Sequence, residues 1–125
     1  MTSKAPRVVA FTTALAHDPQ MEAAYYNRGN SYIALERNDR AIRDYNQSLR
    51  LSPNDPVTLR AKARVYGLMG DNLRAVEELN LAIQHDPRNA ELYSERSEAY
   101  LELGNKAAAD ADQGMTLKLD PEVER

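Results

Sequence analysis

The chain has 125 residues and a formal net charge of −3 at pH 7, with 42% hydrophobic and 28% charged residues. That balance suits one soluble domain and is too apolar for a disordered chain. It has no cysteine, so disulfides and thiolate metal sites are excluded. No face is rich in Lys and Arg, as a nucleic-acid surface would need, and no apolar run reaches membrane-spanning length. The prolines Pro19, Pro53, Pro87 and Pro121 are 34 residues apart at each step. An internal repeat is therefore the first reading, and 34 residues is the length of a helix–turn–helix unit.

The first segment has two readings. Lys4 and Arg7 precede "VVAFTTALA", which ends Ala14-Leu15-Ala16, the layout of a secretory signal. Stepping back 34 residues from Tyr45, Ser48 and Leu49 reaches Phe11, Ala14 and Leu15, the layout of a repeat's second helix. The second reading is favoured: a helix over 6–17 in an N-terminal half repeat, 1–21. The expected compartment is then cytoplasmic, or secreted or periplasmic if 1–16 is a signal.

The next unit is 22–55. Tyr25, Gly29 and Tyr32 lie at i, i+4 and i+7, one face of a helix. "ERND" follows with turn formers, and Ala41, Ile42, Tyr45, Ser48 and Leu49 pattern a second helix. The Ser-Pro step closes it, because the residue before Pro leaves the α region. Units 56–89 and 90–123 repeat this, with "GDN" and "GNK" at the inner turns, and 124–125 is a tail. Gly29, Ala63 and Ser97 form one small-residue series. Ala41, Ala75 and Ala109 form another. Only small side chains let the two helices of a unit cross closely, so Ala41→Phe is expected to cost ~1–3 kcal/mol.

Charges recur with the same period. Arg28, Lys62 and Arg96 each have an acid sixteen residues on, Asp44, Glu78 and Asp112. They read as ion pairs between the helices of one unit, and as exposed pairs would contribute ~0–1 kcal/mol each. The second-helix pair Ile42 and Tyr45, then Val76 and Leu79, becomes Asp110 and Gln113 in the last unit, beside Gly114. A solenoid needs a polar terminal face, so the array is expected to stop there. Leu117 and Leu119 leave some apolar surface for weak self-association. His17 and His85 sit two units apart, too far for one metal ion, with no ligand cluster near either. No metal, cofactor or catalytic arrangement is expected, although the acid stripe over 91–102 is where an enzyme reading would have to begin.

The strings "YYNRGNSY…A…Y…S…P", "LRAKARVY…A…L…A…P" and "YSERSEAY…A…Q…T…P" resemble the tetratricopeptide repeat over 22–123. The resemblance implies an all-α, right-handed solenoid of about seven helices that binds a protein or peptide in a concave groove lined by the first helix of each unit. The phase puts Ala23, Tyr26, Asn27, Asn30 and Ile33 there, then Val57, Arg60, Ala61, Arg64 and Gly67, then Glu91, Ser94, Glu95, Glu98 and Leu101. Family members that clamp a chaperone C-terminus use Lys, Asn, Asn, Lys and Arg. The matching positions here are Tyr26, Asn30, Ala61, Glu91 and Glu95, so that role is disfavoured. Glu91, Glu95, Glu98 and Glu102 form one helical stripe, a repulsion of ~0.2–0.5 kcal/mol per pair. Arg60 and Arg64 on the neighbouring first helix cannot neutralise all four. The expected binding residues are Tyr26, Asn27, Asn30, Ile33, Arg60, Arg64, Glu91, Ser94, Glu95 and Glu98. The expected ligand is a peptide with a Lys or Arg against Glu95 and Glu98, and the alternative is a self-assembling component of a larger complex.

Overall fold

The computed structural model describes residues 5–124; Lys4, the first base of the signal-like layout, and Arg125 of the tail lie outside them. Among the described residues are seven α-helices: α1 (Ala5–His17), α2 (Glu22–Ala34), α3 (Asn38–Leu51), α4 (Pro56–Leu68), α5 (Asn72–His85), α6 (Ala90–Glu102) and α7 (Lys106–Leu119). A 3₁₀ turn, Pro121–Glu124, follows and packs on α7. The pairs α2–α3, α4–α5 and α6–α7 pack most extensively, and α1–α2, α3–α4 and α5–α6 join them in series. The molecule is an all-α solenoid with no strand among the described residues.

The helix ends follow local chemistry. Asp55 caps α4 by accepting from the Val57 N–H at 3.0 Å, with Pro56 in the first turn. Asp71, Asn89 and Asn105 accept from Arg74, Glu91 and Ala108 to cap α5, α6 and α7. The inner turns use Gly70 at φ 80° and Gly104 at φ 79°, where glycine meets no steric penalty. The first unit puts Glu36 there, at φ 60°. A side chain in that region costs roughly 1–2 kcal/mol.

The crossings are as close as the small residues imply. A Cβ built on Gly29 would lie 2.8 Å from Cε1 of Tyr45 and 3.0 Å from Cδ1. Tyr45 cannot retreat: it is wholly buried, and its hydroxyl donates to Oδ1 of Asn30. Burial pushes its pKa well above the usual tyrosine range, so it remains a donor. In the third unit the hydroxyl of Ser97 donates to the Ala109 carbonyl at 2.9 Å, side chain of one helix to backbone of the next. Ala41, Ala75 and Ala109 are all buried at these crossings. Between units, Leu59, Ala63, Leu79, Ala82 and Leu92 make one cluster across α4, α5 and α6.

The three periodic ion pairs form, but they are not the exposed pairs expected. Arg28 Nε and Nη2 donate to the two carboxylate oxygens of Asp44 at 2.8 and 2.7 Å, and Arg96 grips Asp112 at the same distances. Lys62 lies 3.3 Å from Glu78. The side chains of Asp44 and Asp112 are each only 5% exposed, because the crossing helices close over them. Tyrosines flank the cations: Arg28 lies 5.9 Å from the rings of Tyr25 and Tyr32, and Arg96 lies 5.6 and 5.8 Å from Tyr93 and Tyr100. Hydrogen bonds to the aspartates hold both guanidinium groups above their usual pKa against the opposing effect of burial. Each arginine also has a third arm. Arg28 Nη1 donates to Thr12 on α1 at 3.1 Å, and Arg96 Nη1 to Asn80 on α5 at 2.9 Å.

At the ends, α1 packs on α2 with Leu15 buried and Val8, Phe11 and Ala14 half-buried. Asp110, Gln113 and Gly114 are exposed on α7, while Leu117 and Leu119 are half-buried.

Two substitutions should move stability in opposite directions. Glu36→Gly relieves the left-handed residue and should stabilise by about 1 kcal/mol. Gly29→Ala drives a methyl into Tyr45 and should destabilise by ~1–3 kcal/mol. Urea unfolding monitored by circular dichroism measures both, and equal midpoints for the two variants would refute this account of the crossing.

Candidate functional site

Helices α2, α4 and α6 share one face, and their side chains meet across the unit boundaries. From α4, Arg60 Nε donates to Oε2 of Glu95 on α6 at 2.7 Å, and Arg60 Nη2 reaches Glu91 Oε2 at 2.5 Å. Arg64, one turn on, reaches the same Glu95 oxygen at 3.2 Å. The two arginines thus neutralise Glu91 and Glu95 across the boundary. The hydrogen bond to Glu95, and after it the one to Glu91, hold the Arg60 guanidinium above its usual pKa while burial opposes them. Glu95 is mostly covered, and its Oε1 is buried without a hydrogen bond among the described residues.

This pairing redistributes the charge the sequence left over. Glu95 holds both arginines, so it is not the free acid expected to meet a ligand. Glu98 and Glu102 are exposed and have no ion-pair or hydrogen-bond partner among the described residues. The uncompensated negative charge therefore sits at the C-terminal half of α6.

On α2, Asn27 and Asn30 are exposed and Ile33 is half-buried. Asn30 is partly committed, because its Oδ1 receives the Tyr45 hydroxyl. Tyr26 is half-buried and tilts against Tyr45 with ring centroids 5.9 Å apart. Tyr26, Arg60 and Arg64, together with Asp86 and Asn89, line a small hollow of about 110 Å³. Ser94 is half-buried, and Val57 is 57% exposed.

A larger open cleft of about 900 Å³ lies between α4, the start of α5, and α6. Ala63, Ala75, Leu79 and Ala99 are its buried residues, Leu68 and Leu101 are its exposed leucines, and Glu95, Glu98 and Glu102 line one side. Leu68 and Glu102 were absent from the expected site. They follow the groove positions Gly67 and Leu101 in sequence, and a helical face about 100° wide takes in both neighbours. His17 and His85 end α1 and α5 and are exposed. Among the described residues no three His, Cys, Asp or Glu gather as metal ligands, and no helix is long and apolar enough to cross a membrane.

A family model for the tetratricopeptide repeat matches residues 22–55. The chain is 32% identical over 122 residues to human Tetratricopeptide repeat protein 6, an alignment covering 91% of this chain and 22% of that protein. It spans 14 to 22% of the length of the first curated relatives. Among solved structures, the MamA protein superposes with a TM-score of 0.86 at 19% identity, over 92% of this chain and 63% of that one. The first repeat domain of Spaghetti (RPAP3), solved with the HSP90 peptide SRMEEVD, gives a TM-score of 0.78 at 27% identity, over 84% and 83% of the two chains.

Burial separates the glutamates experimentally. Glu95→Ala removes charge-assisted bonds from Arg60 and Arg64 and should destabilise by about 1.5–3 kcal/mol. Glu91→Ala, at a side chain 70% exposed, should change stability by less than about 0.5 kcal/mol. Thermal melts of the two variants test the ranking, and equal melting temperatures would mean Glu95 carries no more load than Glu91.

Proposed function

Since the chain belongs to the tetratricopeptide repeat family, whose repeats mediate protein–protein interaction, we propose that its α2–α4–α6 face is a non-catalytic groove for a segment of a partner protein. Units 22–55, 56–89 and 90–123 form the groove, and within the proposed half repeat 1–21 it is α1 that packs on the first. The observation that carries this reading is the open cleft between α4 and α6, joined through Arg64 to the small hollow that Val57 lines, with Asn27 exposed on α2. It is the place where apolar surface, amide groups and charge all remain available. Tyr26, Asn30 and Arg60 act from beneath as supports, because their polar or aromatic groups are already engaged.

The proposed ligand carries a basic residue. The HSP90 peptide in the Spaghetti structure has two Glu and one Asp in its seven residues. Here the two arginines of the groove are engaged by Glu95 and Glu91, and the unpaired charge is negative. An acidic tail would have to break those bonds, whereas a basic segment would not. The cytoplasm is the compartment proposed, and recovery of the chain from a secreted or periplasmic fraction of its host would overturn that.

Selection of displayed twelve-residue random peptides on the full chain tests the groove. Bound peptides should weaken about tenfold or more with Val57→Lys plus Arg64→Ala, which keeps the net charge of the groove, as changes at a central contact do. They should be indifferent to Arg43→Glu plus Glu77→Arg, on exposed positions of α3 and α5. The reverse pattern would move the binding surface to the second helices and sink the groove assignment.

A further inference from the structure

One feature of the cleft has no role in holding the fold. Gly67 is the next-to-last residue of α4, its carbonyl accepts from the Gly70 N–H at 3.1 Å as any residue's could, and a Cβ built there meets nothing within 4 Å. It is not at positive φ, unlike Gly70, and no neighbour crowds it, unlike Gly29. Glycine inside a helix costs conformational entropy, so neither the backbone nor the packing accounts for it. Its equivalents one unit away on either side are Ile33 and Leu101, both large. The missing side chain leaves a gap in an otherwise apolar row. The gap opens into the cleft beside Leu68, which is 67% exposed, and Leu101, which is 56% exposed. Glu98 and Glu102 are on the same α6 side of that cleft, four residues apart and unpaired.

We propose that the Gly67 gap, between Leu68 and Leu101 and beside Glu98 and Glu102, is the specificity pocket of the groove. Its occupant is a partner-protein segment in which an aliphatic residue adjoins an arginine. This rests on the groove reading above and names the partner chemistry of that site. The aliphatic side chain fills the space Gly67 leaves and covers the two leucines, removing apolar surface from water. The guanidinium takes the carboxylates of Glu98 and Glu102. Its planar fork can bond both, and its aliphatic stem lies over apolar surface while the charged head stays at the rim. Charge complementarity selects this occupant over an acidic or a purely apolar one. An apolar segment would leave two carboxylates poorly solvated and unpaired, and an acidic segment would add repulsion to them. Arg64 does not fill the role itself, because it is held by Glu95.

The test uses the peptides selected on the full chain, with binding followed by fluorescence anisotropy of labelled peptide. Three variants are compared with the parent: Gly67→Leu, Glu98→Gln plus Glu102→Gln, and the charge-neutral groove variant Val57→Lys plus Arg64→Ala. Gly67→Leu places a good helix former in open space, so the fold should be kept, and an unchanged or raised melting temperature verifies that. The expected result is enrichment of peptides with Arg next to Leu, Ile, Val or Met. Binding should weaken about tenfold or more in both pocket variants, and the loss in the glutamine variant should shrink as salt rises. Peptides that need Val57 and Arg64 but lack a basic residue, or that bind Gly67→Leu as well as the parent, would overturn the pocket and leave the groove standing. Enrichment of acidic peptides lost in the groove variant would do the same and assign the site to Arg60 and Arg64. Peptides indifferent to all three variants would overturn pocket and groove together.

Discussion

The structure depends on how closely the two helices of each unit cross. At the first crossing the ring of Tyr45 occupies the space a side chain at Gly29 would need. At the third, a serine hydroxyl touches the backbone of the opposite helix. That closeness is what buries Asp44 and Asp112, and a carboxylate so placed must be paired. The arginines answer it with two parallel bonds, and tyrosines flank the cations. Packing, ion pairing and aromatic cover therefore follow from one geometric fact. Each also constrains the others, since an arginine cannot grip its aspartate unless the helices stand at the spacing that the small residues permit.

The outward face of the first helices is released from this constraint. The crossing uses Gly29, Ala63 and Ser97 with their flanking large residues, and the positions turned away are free to differ between units. The differences are large: Asn27 and Asn30 on α2, Arg60 and Arg64 on α4, glutamates on α6. Arg60 and Glu95 are paired across the unit boundary, which leaves Glu98, Glu102 and the leucines as the exposed groups of the proposed site. A regular scaffold can thus present a face whose charge and shape change from one unit to the next.

Much of this was legible in the amino-acid order because the contacts that define a unit lie at fixed offsets along the chain. The proline step of 34 and the small-residue series mark the length of a unit, the sixteen-residue spacing from base to acid is an offset within one, and the helices and the three ion pairs appear where those spacings put them. Burial was not legible in the same way. Asp44 reads as a surface acid until Tyr25, Tyr32 and the crossing helix are placed around its partner. The neutralisation of Glu95 was half visible: the arithmetic of two arginines against four glutamates was right, but which glutamates remained free depended on separations of 31 and 35 residues across a boundary. The Gly67 gap was hardest to see. A helical glycine looks the same on paper whether a neighbour crowds it or open space faces it. Glu36 was equally silent, because a glutamate in a turn of polar residues carries no mark of its φ.

The third arm of the arginines bears on how the array comes apart. Arg28 ties its unit back to Thr12 on α1, and Arg96 ties its unit back to Asn80 on α5. The middle unit has Lys62, whose single ammonium is turned to Glu78 and sends no hydrogen bond back to α3 among the described residues. Stability in a linear array is a sum of unit terms and nearest-neighbour terms, so a missing tie lowers one coupling and not the rest. The junction of α3 with α4 is then the natural fault line. Partial unfolding would divide the molecule there, into a front block of α1 to α3 and a rear block of α4 to α7. The cleft between α4 and α6 would remain whole in the rear block, and amide protons on either side of the junction would exchange as two populations.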